Sequence, residues 1–282
     1  MPNEIKFISR LAVFIISAFV TIGLFFYIFM SNIPESERHG FEIYQVIEKS
    51  KKADTQTQKL VLGDSVCRQM YPSDKYNDAI NSLASNQAAS VVGCYIVLKS
   101  FLENFEGDRD QLEVHLVYRA SSFRNNLDQR FTFNYFLKPF NRPEYLDDFS
   151  PAVHRAIGEI PYSWLSKYDF IKRSNWAPSL RSNNNIHDFR MSPISAEYLL
   201  KMESMCEQQG VSFSVHSPFM SNEFSDSDFE EIKSQIKEFK LEHLFEDYFS
   251  QIRWIDAKCF YDGSHLKNAL KEEVLGYNFL NF

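Results

Sequence analysis

The sequence predicts an α/β protein: a three-layer α/β/α domain with a mostly parallel sheet, preceded by one transmembrane helix. Two observations support this prediction. An uncharged apolar run over residues 11–30 stands near the N-terminus. From about residue 58 onward, short apolar runs that suit buried strands alternate with longer segments that have the helical period. Strands that alternate with helices imply right-handed crossovers and helices on both faces of the sheet.

The apolar run is predicted to be a membrane anchor over residues 11–30, with the bilayer as its partner. A helix of about 20 residues spans about 30 Å, which matches the hydrocarbon core. Lys6 and Arg10 precede the run, so the positive-inside rule places residues 1–10 in the cytoplasm. Everything after the anchor is then periplasmic or extracellular. A cleaved signal peptide is the competing interpretation, but its apolar region is normally shorter, and no A-x-A-like site follows this run.

Residues 31–57 are polar and of mixed charge, and they predict a stalk that lifts the following domain off the bilayer. Part of this stalk, around residues 41–50, is expected to be helical. The predicted domain covers residues 58–282.

Within the domain, the predicted strands are 59–62, 78–83, 113–118, 211–216 and 252–255. The predicted helices are 88–103, 194–209, 226–239, 242–249 and 266–275. The first strand suits a buried parallel strand because it is a short apolar run that ends in small residues. The helix over 88–103 has one apolar face, since its apolar residues recur at the helical period.

The segment over residues 121–191 interrupts this alternation with several prolines, many aromatic residues and a polar tract at 182–185. Such a segment is either a lid-like insertion or a helical subdomain beside the site. Trp164 and Trp176 lie in it, and Trp254 lies beyond it. These rings either stack on sugars or pack inside the domain, and packing is the expected role.

The composition argues against one class of partner. The net charge is −7 and no basic tract occurs, so no nucleic-acid partner is expected. No cofactor and no metal are expected either, since the cysteines have no metal-like spacing and are predicted to be free thiols. They are Cys67, Cys94, Cys206 and Cys259. His115 and His216 are expected to be structural histidines, because no spacing supplies them with further ligands.

The predicted chemistry depends on Ser65, Asp262 and His265. Ser65 stands in a Gly-Asp-Ser sequence where the first strand is expected to meet its helix. A serine hydroxyl becomes a nucleophile when a histidine takes its proton and a carboxylate orients that histidine. On a turn, the three-residue spacing of Asp262 and His265 lets the carboxylate reach the imidazole. A structural interpretation stands beside this one, since Asp and Ser at these places also serve as helix caps.

The early Gly-Asp-Ser, the late Asp-x-x-His and the strand–helix alternation together resemble the SGNH (GDSL-type) hydrolase superfamily over roughly residues 58–282. The resemblance implies an SGNH-hydrolase-like fold. It also implies that Ser65 is the nucleophile, that His265 is the general base and acid, and that Asp262 orients the histidine.

The resemblance further implies an oxyanion hole, in which backbone amides hold the developing negative charge. The superfamily normally supplies a glycine after the second strand and an asparagine after the third. This chain has no glycine at the first of these places, so neighbouring residues are expected to stand in. The candidate donors are Ser65 at the helix start, Ala84, Ser85 and Asn86 after the second strand, and Ser121, Ser122 and Asn125 after the third.

The anchor and the divergent middle blocks resemble the envelope branch of the superfamily, with its polysaccharide O-acetylation factors and the D-alanyl transfer protein of teichoic acids. That resemblance implies a serine acyltransferase or esterase for O-acyl groups of envelope polysaccharide or its acylated precursor, beside a membrane-bound O-acyltransferase. Arg68 would hold a carboxylate or phosphate of the donor, or form a surface salt bridge. The alternatives are a non-catalytic envelope assembly or scaffolding protein, and a metal-dependent hydrolase built around His115 or His216.

Overall fold

The computed structural model describes residues 3–30, 33–72, 79–180 and 188–267. The α-helices of these residues are α1 (Asn3–Met30), α2 (Phe41–Ser50), α3 (Ser65–Met70), α4 (Ser90–Asn104), α5 (Lys138–Phe140), α6 (Pro151–Glu159), α7 (Asp169–Lys172), α8 (Pro193–Gln208) and α9 (Glu230–Glu238). The strands are β1 (Lys59–Gly63), β2 (Ile80–Ser82), β3 (Glu113–Val117), β4 (Ser212–His216), β5 (Met220–Ser221) and β6 (Trp254–Ile255).

Strands β1 to β4 form one parallel sheet in the order β2-β1-β3-β4. Lys59 of β1 lies opposite Ile80 of β2 on one side and opposite Glu113 of β3 on the other. The chain therefore goes from β1 to β2 and then crosses to the far side of β1. This reversal creates a topological switch point at the carboxyl ends of β1 and β3, where open α/β sheets bind ligands. The predicted α/β class and parallel sheet are confirmed.

The two faces of the sheet carry different packing, because successive residues of a strand point to opposite sides. On one face Leu60, Leu62, Val114 and Leu116 join the main core together with α2, α4 and α8. On the other face a smaller cluster includes Val61 and Val117 of the strands, Val66 and Cys67 of α3, and Phe219 and Phe260. The candidate site lies beside the smaller cluster, since α3 belongs to both.

The elements next to the site begin and end within about two residues of their predicted bounds. These are the first four strands and the helices predicted at 88–103 and 194–209. Residue 78 of the second predicted strand and the polar tract at 182–185 lie outside the described residues. The same holds for residues 268–275 of the last predicted helix.

Two predicted elements near the C-terminus differ from the structure. The strand expected at 252–255 reduces to β6, which pairs only with β5 in a separate two-stranded sheet. The helix expected at 242–249 is a single 3-10 turn, Glu242–Leu244. Its apolar periodicity reflects the burial of Leu244, Phe245 and Tyr248 in the core and not a continuous helix.

The segment between α1 and β1 packs on the domain and does not form the expected stalk. Ile43 and Ile47 of α2 are buried in the main core. Before α2, the His39 amide donates to the Asn175 side-chain oxygen at 2.7 Å, and the Asn175 side-chain nitrogen donates to the Glu37 carbonyl at 3.1 Å. The overall polarity of residues 31–57 conceals the two isoleucines, which lie one helical turn apart and form an apolar stripe.

In its described residues, the segment at 121–191 consists of short helices, including α5, α6 and α7, joined by turns and irregular loops. Its aromatic residues extend the main core, and Phe133, Phe136, Phe140 and Phe149 are buried in it. Trp176 packs edge-on against Phe133, with ring centroids 5.5 Å apart. Trp164 differs from the expected packing, because 58% of its surface is exposed.

Helix α1 is long and apolar enough to cross a membrane. Its qualifying span is Glu4–Tyr27, with a mean hydropathy of 2.2 and no residue buried in the most apolar window. The helix begins before the predicted span of 11–30 because the preceding residues continue its turns, and it ends at Met30 as predicted.

Candidate active site

The candidate site begins at the turn that joins β1 to α3. Gly63 ends β1, Asp64 caps α3, and Ser65 is the first residue of that helix. A Cβ at position 63 would stand 2.2 Å from the Val117 carbonyl oxygen and 2.4 Å from the Cβ of Cys67. Only a glycine therefore lets this turn pass so close to β3.

The Asp64 carboxylate holds the turn in place and is fully buried. Its Oδ1 accepts hydrogen bonds from the amides of Val66 at 2.9 Å and Cys67 at 3.2 Å, which caps α3. Its Oδ2 accepts from Ser122 Oγ at 2.7 Å and lies 3.4 Å from Arg119 Nε. The carboxylate thus ties the first turn of α3 to the loop that follows β3.

A buried polar network continues from this carboxylate. Arg119 Nη2 donates to Gln87 Oε1 at 2.6 Å, and the Gln87 carbonyl accepts from Asn125 Nδ2 at 2.7 Å. The guanidinium forms an ion pair with Asp64, so its charge has a partner inside the domain. Neither Arg119 nor Gln87 is predicted from the sequence, because a single polar residue after a strand gives no sign of burial. The only available signal is the place of Arg119 at the carboxyl end of a predicted strand.

The second half of the site is the turn from Asp262 to His265. Asp262 Oδ1 accepts from the amides of Ser264 at 3.0 Å and His265 at 2.8 Å, which closes an Asx-type turn. Its Oδ2 lies 2.8 Å from His265 Nδ1. Because a carboxylate only accepts, Nδ1 carries the proton, and Nε2 of the neutral imidazole is an acceptor.

The two halves meet at Ser65. His265 Nε2 lies 2.9 Å from Ser65 Oγ, although 200 positions separate the two residues in the chain. The Leu266 amide donates to the Gln69 side chain at 3.2 Å, which fastens the histidine turn to α3. The structure therefore brings together Ser65, His265 and Asp262, the residues on which the predicted chemistry depends. A hydroxyl, an imidazole and a carboxylate in this order can move the serine proton as the oxygen attacks a carbonyl.

The site opens to solvent on its histidine side. Ser65 is 8% exposed, whereas the side chains of His265 and Asp262 are 20% and 41% exposed. Burial raises the pKa of Asp262, but hydrogen bonds from the His265 amide, its imidazole and the Ser264 amide outweigh burial and hold the pKa below its ordinary value. Asp262 is therefore ionised at neutral pH. The exposed ring of Tyr261 stacks beside the His265 imidazole at 5.6 Å.

Three of the candidate oxyanion donors are engaged elsewhere. The Ser85 amide donates to the Gly63 carbonyl at 2.9 Å. The Ser122 amide donates to the Arg119 carbonyl, and its hydroxyl bonds to the buried carboxylate described above. The Asn125 amide donates to the Ser122 carbonyl, and its side chain bonds to the loop before α4. None of these groups is free to hold an oxyanion in this conformation.

The other candidates keep unbonded amides. Within the described ranges, no hydrogen bond is donated by the backbone amides of Ser65, Ala84, Asn86 and Ser121. The Ser65 amide suits the role best, because first-turn amides of a helix have no intrahelical acceptor. It also lies on the same residue as the hydroxyl, so it is next to the oxygen of any carbonyl that this hydroxyl would attack.

Arg68 forms the surface salt bridge that the sequence left open as one alternative. Its Nη1 lies 3.4 Å from Glu42 Oε1 of α2. Both side chains line a cavity of about 570 Å³ between α2 and the edge strand β2, which Lys49, Ser82 and Ala84 also line.

His115 of β3 and His216 of β4 lie on the sheet. Their hydrogen-bond partners among the described residues do not include Ser65. Nδ1 of His115 is 3.1 Å from Nε2 of His216, and Ser214 Oγ is within 2.9 Å of both. Burial and the neighbouring histidine lower the pKa of His115 to about 4. In the part of the chain that the structure describes, no three His, Cys, Asp or Glu side chains converge as metal ligands. All four cysteines are free thiols, as predicted.

No protein-family model matches this sequence, and no curated protein matches it either.

Proposed function

We propose that this protein is a membrane-anchored serine acyltransferase or esterase that acts outside the cytoplasm on O-acyl groups of cell-envelope polysaccharide. The observation that carries the proposal is the unbroken hydrogen-bonded relay from Ser65 through His265 to Asp262. Its place at the switch point of the sheet adds support, since ligands bind there in open α/β folds. The resemblance to the SGNH superfamily assigns the same roles to the same residues.

The first half of the reaction forms an acyl-enzyme. As Ser65 Oγ attacks the ester carbonyl carbon, the hydroxyl proton passes to His265 Nε2, and Asp262 stabilises the imidazolium. The Ser65 amide holds the oxyanion of the tetrahedral intermediate. The bond from the carbonyl carbon to the leaving oxygen then breaks, and Nε2 returns the proton to the departing alcohol.

The second half transfers the acyl group. Water or a carbohydrate hydroxyl gives its proton to His265 Nε2 and attacks the acyl carbon. Collapse of the intermediate releases the acyl product, and the proton returns to Ser65 Oγ. Hydrolysis and transfer use the same residues and differ only in which hydroxyl reaches the acyl carbon.

The choice of an envelope substrate rests on the N-terminal region. Lys6 and Arg10 precede the apolar part of α1, which favours a cytoplasmic N-terminus and a domain on the far side of the bilayer. On that side of the bilayer, the resemblance to the envelope branch of the superfamily makes envelope polysaccharide the proposed acyl-bearing substrate. A membrane-bound O-acyltransferase is the proposed partner, because it would deliver acyl groups at the membrane face.

One observation favours a second candidate, a non-catalytic scaffolding protein of the envelope. Ser85, Ser122 and Asn125 are all bonded within the domain, so the oxyanion hole depends on few amides. In a scaffolding protein Asp64 and Asp262 would act only as the caps of helix α3 and of the Asp262–His265 turn.

The proposal is tested with the full chain in detergent micelles, treated with p-nitrophenyl acetate. Intact mass spectrometry is expected to show one acetyl adduct on the wild type, with a burst of p-nitrophenol. Ser65→Ala is expected to lose both. Ser214→Ala is the matched control, because Ser214 of β4 also lies within hydrogen-bond distance of a histidine. This variant should keep both the adduct and the burst. A folded wild type without adduct, or an adduct that survives Ser65→Ala, would favour the scaffolding function.

A further inference from the structure

Four large aromatic side chains are exposed together at the 3-10 turn Ser163–Lys167 and helix α7. Tyr162 and Trp164 are each 58% exposed, Tyr168 is 49% exposed and Phe170 is 37% exposed. We refer to these four residues as the aromatic patch. Outside α1, the remaining exposed large apolar side chains of the described residues are scattered: Phe131, Leu200, Trp254 and Tyr261. A patch of this kind marks an interaction surface, whereas single exposed rings do not.

The patch holds its rings in a fixed arrangement. Trp164 and Tyr168 contact edge to face, with ring centroids 6.0 Å apart. Tyr168 in turn contacts Phe170 at 5.8 Å, and Tyr162 contacts Trp176 at 6.2 Å. Trp164, Tyr168 and Phe170 therefore form a connected set of rings, and Tyr162 is held beside them in the chain by its contact with Trp176.

The apolar helix α1 reaches the domain beside this patch. It contacts α7, which contains Phe170. The chain that follows α1 is fixed nearby, because Glu37 and His39 are both hydrogen-bonded to the side chain of Asn175. No residue in the most apolar window of α1 is buried, so this helix projects away from the domain. A bilayer crossed by α1 would thus end close to the aromatic patch.

The chemistry of the patch suits the headgroup region of a bilayer. Tryptophan and tyrosine are enriched there, because the ring enters the apolar boundary while the polar edge stays in water. Lys167 and Arg173 are exposed on the same segment and suit lipid phosphates. The acidic residue of the segment, Asp169, lies 3.9 Å from Arg142, so its charge is partly balanced.

We propose that the aromatic patch lies in the interface of the bilayer that α1 crosses, so that this side of the domain rests on the membrane. The inference depends on α1 spanning the bilayer and not on the chemistry at Ser65. Sugar stacking and contact with a second copy are the other occupants, and neither accounts for the position of the patch beside α1.

The test places the full chain in phosphatidylcholine vesicles with brominated acyl chains, which quench nearby tryptophans. Trp176→Phe/Trp254→Phe keeps only Trp164 as a probe. Trp164→Phe/Trp176→Phe keeps only Trp254, which is 41% exposed and lies outside the patch, as the matched control. Bromine near the headgroup is expected to quench Trp164 at least twofold more strongly than Trp254, relative to each variant in unbrominated vesicles.

Equal quenching of the two tryptophans would overturn the proposal, and so would failure of the chain to float with the vesicles. Protection of Trp164 by added polysaccharide, without quenching by bromine, would assign the patch to a sugar. Weak Trp164 quenching that increases on dilution into excess lipid would assign the patch to a second copy. The acyl-adduct experiment is independent of these outcomes, because it is carried out in detergent and follows Ser65.

Discussion

The protein contains two groupings of serine, histidine and carboxylate with similar hydrogen bonds. One lies beside the carboxyl end of β1, and the other lies on the paired strands β3 and β4. In the first, His265 joins Ser65 Oγ at 2.9 Å to Asp262 at 2.8 Å. In the second, Nδ1 of His115 lies 2.9 Å from Ser214 Oγ, and its Nε2 lies 3.2 Å from Glu113 Oε2. By order of atoms alone, both are relays.

Their surroundings separate them. Ser65 begins a helix and keeps its own amide unbonded beside its hydroxyl, and it follows a strand at the switch point of the sheet. Ser214 lies in the middle of β4, opposite His115 in the register. Its hydroxyl also lies within hydrogen-bond distance of two imidazoles, because His216 Nε2 is only 2.8 Å away.

The second histidine is also a poor base. Burial and the adjacent His216 lower the pKa of His115 to about 4, so its imidazole is a weak base and carries no extra proton at neutral pH. A general base is most effective when its pKa is near the working pH. The comparison teaches that hydrogen bonds alone do not make such a triad catalytic. It also needs unbonded backbone amides near the hydroxyl, access for a substrate and a histidine that can accept a proton at the working pH.

The largest difference in activity is expected between two variants, each of which removes the carboxylate of one grouping. Asp262→Asn should lower the rate of Ser65 acylation by about 10³- to 10⁴-fold, because His265 loses the acceptor that keeps its proton on Nδ1. Glu113→Gln, the matched change at His115, should leave the rate within about twofold of the wild type. Burst kinetics with p-nitrophenyl acetate measure both. Equal losses in the two variants would erase the distinction between the groupings.

The grouping around Ser65 could be predicted from the sequence because each of its halves has a local signal, and the resemblance to the SGNH superfamily supplied their pairing. Gly-Asp-Ser follows an apolar run, and Asp262 and His265 need only a turn to bond each other. The grouping around His115 could not be predicted, since it depends on the register that sets Ser214 opposite His115 in two strands nearly 100 positions apart. Whether a histidine in a strand meets a hydroxyl is a property of the paired sheet and not of either strand.

The same contrast explains which parts of the fold were predictable. Buried parallel strands appear as continuous apolar runs, so β1 stands out in the sequence, whereas the edge strand β4 is recognised by its alternation of polar and apolar residues. Helix α2 carries only two buried isoleucines among polar neighbours, so its sequence predicts a stalk. Its burial depends on packing against α4, which the sequence of α2 alone does not indicate. The ion pair of Asp64 and Arg119 is equally hidden, because charged residues are buried only where a partner awaits them.

A smaller effect, on stability, is expected from removing the buried carboxylate of Asp64, which caps the helix that begins at Ser65. Asp64→Asn should lower the free energy of unfolding by about 3 kcal/mol, because it leaves the buried Arg119 guanidinium without its counterion. Urea denaturation of the full chain in micelles measures this change.

The double variant Asp64→Asn/Arg119→Met separates the charge from the cap. It should be more stable than Asp64→Asn alone, because no unpaired charge remains. An Asp64→Asn variant as stable as the wild type would mean that the helix start at Ser65 does not need this support.

The smallest effect concerns pH and distinguishes the two histidine environments by stability. Burial lowers the pKa of both His115 and His216 below the ordinary value of 6.5. Protons therefore bind the unfolded chain more tightly, so stability is complete above about pH 6.5 and falls as the pH drops toward 4. Glu113 beside His115 and Asp247 near His216 oppose this loss, while Lys59 adds to it.

The double variant His115→Gln/His216→Gln should lose less stability than the wild type between pH 6.5 and 4, by on the order of 2 kcal/mol. Urea midpoints of the full chain in micelles, measured across this range, give the comparison. If the double variant kept the full acid slope, the buried pair would not be the proton-sensitive element. The contrast between the buried histidine pair and the partly exposed His265 would then rest on geometry alone.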